Sequence, residues 1–221
     1  MNEETARASA EASNTPRTAR RGEGWRDGDF VVTKFGRINY AVNAAGVNRQ
    51  RSSHLDIAET DLDNFDNIMR INTRGMLLCC RAQTAAMRKQ EPQTFTSRNG
   101  SRGIGRGAIV NVASANSFAG LPGKGSYTSS KHACMGLDHA PEGIRCNAVF
   151  PVWVRTPLLD VELQRNPEVG VMISAMVPIK RAAESEEVGD TITYLLSPSA
   201  SYINGTSVIL DAALTTTVRL F

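Results

Sequence analysis

A chain whose short apolar runs stand far apart, with helical periodicity between them, has few ways to fold. Residues 38–42, 108–113 and 144–150 are such runs, built on Ile38, Val42, Ile109, Val110, Val112, Ile144, Val149 and Phe150. They are rich in β-branched residues and too short for buried helices, so they read as strands. From about Glu59 to Met87 the residues Leu62, Phe65, Ile68, Met69, Ile71 and Met76 recur at helical spacing and predict one long buried helix. Further helices are expected over residues 126–137 and 185–196, and a last strand over 207–210. Strands alternating with helices generate a parallel sheet covered on both faces, which is the α/β class.

The rest of the chain reads by composition. Residues 1–29 are rich in Ala, Ser, Thr, Arg and Glu, nearly lack aliphatic side chains, and are expected to stay disordered, ahead of a single domain over 30–221. Glu3, Glu4, Glu11 and Glu23 argue against a transit peptide, and the segment lacks the apolar core of a secretory signal, so a cytoplasmic protein is expected. No stretch reaches the roughly 20 apolar residues of a membrane span. A formal charge of +3 with scattered arginines excludes a basic footprint for nucleic acid. Cys79, Cys80, Cys134 and Cys146 have neither metal-ligand spacing nor the density of a disulfide scaffold, so reduced thiols in apolar surroundings are expected. His54, His132 and His139 lack ligand-like partners, and no metal site is assigned. Residues 89–106 read as a polar loop, and 48–55 and 158–176 as variable loops.

Chemistry concentrates after the second strand. Tyr127 and Lys131 are four apart, so on a helix they share a face and the ammonium lies near the phenol. A fixed cation favours phenolate and would bring a pKa of about 10 toward working pH, as general acid/base catalysis requires. The pair alone is weak, since many helices carry one by chance. Ser114 strengthens it, because it ends a strand, and in a parallel sheet a strand end and the next helix start share one edge.

Taken together, Asn43-Ala44-Ala45-Gly46, Asn72, Ser114 and Tyr127-Thr128-Ser129-Ser130-Lys131 resemble motifs of the short-chain dehydrogenase/reductase family. Residues 144–149 with Pro151, Val154, Thr156 and Pro157, and residues 201–211, are similar to its later strands. The resemblance implies a Rossmann-like sheet and NAD or NADP as cofactor, with a small carbonyl compound or secondary alcohol as substrate. It makes Tyr127 the acid/base and has Ser114 hold the substrate oxygen. Lys131 would bind the nicotinamide ribose, and Asn72 would hold a water at a break in its helix. Asn43 and Gly46 would line the cofactor's adenosine side, and Val154 and Thr156 would face the nicotinamide. Relatives commonly assemble through the helices near Asn72 and Tyr127, so a homo-oligomer is one reading of the apolar Met76, Leu77 and Cys80; core packing is the other.

The pattern is also broken. Upstream of Phe35 there is no buried strand or glycine-rich turn to receive a pyrophosphate, so the sheet is expected to lack the family's first three strands. Residues 99–105 imitate that turn, but they lead into a strand instead of a helix and read as a loop. The interval from Lys131 to Ile144 is short by roughly two turns, and Val152 stands where the family commonly has glycine. Two functions are therefore weighed: a nicotinamide-dependent oxidoreductase, and a catalytically silent relative unable to hold the cofactor.

Overall fold

The computed structural model describes residues 27–48, 57–120, 123–136 and 142–216. Helix α1 (Asp27–Phe35) precedes strand β1 (Tyr40–Asn43). A 3-10 turn at Ile57–Glu59 leads to α2 (Leu62–Ile68), a π-helical segment Met69–Gly75, and α3 (Met76–Met87). Strands β2 (Gln93–Ser97), β3 (Gly100–Gly105) and β4 (Gly107–Val112) follow, then α4 (Gly125–His132) and β5 (Ile144–Pro151). Helices α5 (Pro157–Arg165), α6 (Glu168–Met176) and α7 (Ser185–Leu196) precede β6 (Ser207–Leu210). The main sheet runs β1-β4-β5-β6 and is parallel throughout.

The β-branched runs form strands because both of their faces are covered. On one face Ile109, Ala148 and Phe150 pack with Met76, Cys80, Met87 and Cys134; on the other, Val110 and Val149 pack with Val188 and Leu195. The period-two alternation between Ile109 and Val110, and between Ala148 and Val149, assigns each residue to its side. Arg145 is buried under the end of α7, donating to the carbonyls of Leu195, Leu196, Ser197 and Ile203 at 2.8–3.3 Å. It satisfies acceptors that a helix C-terminus leaves open.

Four expectations are corrected. Helix α1 begins at Asp27, inside the segment expected to be disordered, whose first 26 residues lie outside the described ones. Residues 93–105, expected as a loop, form the antiparallel β2-β3 hairpin, where Phe95 stands opposite Arg102 with the guanidinium 5.1 Å from the ring centroid. Cross-strand stacking of this kind stabilises a pair that has no apolar alternation. The hairpin ends at Gly105, where φ is +80° and a Cβ would fall 2.2 Å from the Gly143 carbonyl oxygen, so only glycine fits. Residues 158–176, expected as a variable loop, fall in α5 and α6, and the helix expected over 126–137 ends as α at His132 and continues as 3-10 over Ala133–Gly136.

Candidate active site

Ser114, Tyr127 and Lys131 meet at the carboxyl edge of the sheet. Ser114 is buried just past β4 and caps a 3-10 turn, Ala115–Ser117, its Oγ accepting from the Asn116 N–H at 3.2 Å. Asn116 in turn donates through Nδ2 to Thr128 Oγ1 at 3.2 Å, tying the Ser114 turn to α4. Tyr127 and Lys131 sit one turn apart on α4, with Nζ 5.7 Å from the Tyr127 ring centroid. Lys131 is buried, and its Nζ donates to the Val112 carbonyl at 3.1 Å, so the ammonium is pinned to the end of the same strand that carries Ser114.

Burial acts on both groups. Burial holds the Tyr127 phenol above its ordinary range, only partly opposed by its hydrogen-bonding contact with Ser114. Burial also lowers Lys131, with Cys134 acting in the opposite direction. Burial therefore acts at both residues against the charged form, in the direction opposite to the one a neighbouring ammonium would impose on the phenol.

Asn72 lies in the π-helical segment, where a break in the helix was expected. Its amide clamps one residue of the β1 exit loop at two points, Nδ2 donating to the Val47 carbonyl at 2.9 Å while Oδ1 accepts from the Val47 N–H at 2.8 Å. Nδ2 also reaches Ser130 Oγ at 3.0 Å, and Ser130 donates to the Tyr127 carbonyl at 2.7 Å. π-segments of this sort reposition side chains at functional sites. Gly46 completes the front of the site: a Cβ there would lie 3.3 Å from Asn72 Oδ1 and 3.5 Å from Lys131 Nζ, so the missing side chain keeps the approach to the ammonium open.

The other expected site residues lie around this centre. Asn43 is buried, donating to Asn111 Oδ1 at 2.9 Å and to Gln83 Oε1 at 3.1 Å and accepting from Gln83 Nε2 at 2.8 Å. Thr156 caps α5, its Oγ1 accepting from the Leu159 N–H at 3.4 Å and donating to the Val154 carbonyl at 3.3 Å. Val154 forms an isolated parallel bridge with Ala183 beside the chain's return into α7. Sequence reasoning passed over Asn116, Ser117 and Ser130, although Ser117 donates to the Lys131 carbonyl at 2.7 Å. Their only signal was a position two or three residues after Ser114, or three after Tyr127. Among the described residues no group of His, Cys, Asp and Glu could hold a metal, and no helix is long and apolar enough to cross a membrane.

Comparison with known proteins gives concordant results. A family model described as enoyl-(acyl carrier protein) reductase matches residues 28–215. A short-chain dehydrogenase of Neurospora crassa is 42% identical over 187 residues, covering 82% of this chain and 68% of the relative. One from Aspergillus ruber is 42% identical over 193 residues, covering 85% and 70%. The solved structure of ElxO with NADP bound superposes with a TM-score of 0.72 at 27% identity, covering 86% of this chain and 72% of that one.

Proposed function

This chain belongs to the short-chain dehydrogenase/reductase family of oxidoreductases, and we propose that it reduces a small carbonyl compound to a secondary alcohol with NADH or NADPH. The observation that carries the reading is the meeting of Ser114, Tyr127 and Lys131 at the sheet's carboxyl edge, with Lys131 Nζ on the Val112 carbonyl and over the Tyr127 ring. A phenol so placed is the kind of acid that carbonyl reduction needs.

The residues fit the nicotinamide-ribose end of such a cofactor, since Gly46 leaves open the space before Lys131 and Asn72. The cofactor would supply hydride to the carbonyl carbon. Ser114 would donate a hydrogen bond to the carbonyl oxygen, fixing it against Tyr127, which would pass its proton to that oxygen as charge develops there. Lys131, anchored by Val112, would hold the ribose hydroxyls and offset the negative charge left on Tyr127. Asn72 and Ser130 would keep α4 in register with the β1 exit loop through their shared hydrogen bond. NADP bound to ElxO supports trying NADPH first. A cytoplasmic setting is part of the same reading.

A second reading, a catalytically silent relative that cannot hold the cofactor, draws on Asn43, whose amide is engaged inside the sheet with Asn111 and Gln83. Titration of the purified chain with NADPH and NADH, followed by cofactor fluorescence, separates the two. Binding, with oxidation of the cofactor on adding a ketone, supports the reductase; no binding at millimolar cofactor supports the silent relative and removes the first reading.

A further inference from the structure

Helices α5 and α6 form a unit with its own small core. Val169, Ile173 and Val177 are buried against Trp153, Leu159 and Leu163, a cluster sharing no residue with the two that sandwich the sheet. Helix α5 buries no residue of its own, and Leu158, Val161, Val171 and Met172 stay exposed. The unit leaves the body after β5 and returns before α7 through two stems stitched together. The Arg155 N–H donates to the Ala183 carbonyl at 2.8 Å, and the Ala183 N–H donates to the Trp153 carbonyl at 2.9 Å. Lys180, with a left-handed φ of 58°, fixes a sharp bend in the return stem. A helical pair with its own small core, held at its stems, opens locally at little cost unless something secures its far side.

One contact does. Glu162, in the middle of α5, reaches Lys124 Nζ at 3.7 Å. Lys124 is the residue that precedes α4 and stands three positions before Tyr127. The side chains are 25% and 38% exposed, so the pair is partly shielded yet open to screening by salt. Breaking this pair removes the tie between α5 and α4 and lowers the cost of local opening in the α5-α6 unit.

We propose that the Lys124–Glu162 ion pair is a latch that sets α5 over the start of the catalytic helix, making both side chains positioning residues for the carbonyl substrate. The proposal rests on the reductase reading for its substrate, and on the geometry alone for the latch. Hydrogen–deuterium exchange on the whole chain tests the second part without turnover. At low salt, Glu162→Gln raises exchange over residues 157–176 about two- to five-fold, the range expected for a partly exposed pair, while exchange in β5 stays unchanged. The charge-reversed double variant Lys124→Glu/Glu162→Lys returns exchange to the parent level, and high salt removes the difference between parent and Glu162→Gln. In turnover, Glu162→Gln raises KM by the same factor with little change in kcat, and the reversed pair restores KM. Equal exchange in parent and Glu162→Gln, or a reversed pair that exchanges as fast as the single variant, overturns the latch. A chain that shows the exchange effect but no turnover with any ketone refutes the reductase and keeps the latch.

Discussion

At the scale of single residues, burial raises the Tyr127 phenol and lowers the Lys131 ammonium, each away from its charged form. Tyr127→Phe removes the proton donor while keeping the ring, so turnover should fall roughly 10²–10⁴-fold with an unchanged thermal midpoint, as steady-state kinetics and a melt would record. A rate equal to the parent's would take Tyr127 out of the mechanism. Cys80 shows the same control by burial in the core. Its thiol is pushed up from 9.0 to about 11, chiefly by desolvation, with hydrogen bonding to Asn111 acting against the shift. A raised pKa means the folded state keeps a proton that the unfolded state releases, so the contribution is complete below pH 9.0 and is lost as pH rises toward about 11. At pH 10.5 the loss amounts to about 2 kcal/mol. Lys131, lowered by burial, acts in the opposite sense and is common to both proteins in the comparison. Urea melts from pH 8 to pH 10.5 should therefore show a steeper alkaline loss in the parent than in Cys80→Ala; parallel curves would refute the assignment to this thiol.

At the scale of elements, what sequence reveals is what burial on two faces imposes. Strands β4 and β5 and helix α7 were legible because Ile109, Val110, Val149, Val188 and Leu195 must all be covered. The hairpin was not, because Thr94, Phe95, Thr96 and Arg102 stay exposed and only the pairing of β2 with β3 brings Phe95 to Arg102. Helix α5 was hidden for a related reason: it buries no residue, so no apolar stripe announces it. In the site, Ser114, Tyr127 and Lys131 were readable from spacing, whereas the direction in which burial shifts Tyr127 depends on how much of the fold covers it, a quantity no local pattern carries. The π-helical segment lies between these cases. A break at Asn72 was expected, yet its cause is tertiary, since the Asn72 amide holds both backbone groups of Val47 and also Ser130. Asn72→Ala leaves those groups without their partner in a buried setting and should cost about 2–4 kcal/mol in urea denaturation. Asn72→Asp keeps Oδ1 for the Val47 N–H and should cost less. Equal stability of parent and Asn72→Ala would mean that the helix distortion is intrinsic to residues 69–75.

At the scale of the whole molecule, the sheet is asymmetric. Strand β4 has partners on both sides, whereas β1, among the described residues, pairs with β4 alone. Tyr40 and Val42 alternate with Ala41 and Asn43, and their side chains are 44% and 45% exposed on the face where Val110 and Val149 are covered by α7. Parallel strands are ordinarily buried on both faces, and a row of unpaired N–H and C=O groups beside exposed apolar side chains is a template for pairing with another chain. Self-association through β1 is the expected consequence, visible in light scattering as particles that grow with protein concentration. A charge on the edge opposes such pairing because it would be desolvated opposite a like charge in the second copy. Val42→Lys keeps its neighbours Ala41 and Asn43 in place and adds the charge at a site already open to solvent, so the fold should tolerate it. The variant should scatter less than the parent at equal concentration and depend on salt, which screens the repulsion between copies. A parent that stays monodisperse at high concentration, or a Val42→Lys that associates as readily, would mean that the apolar edge is covered within the chain.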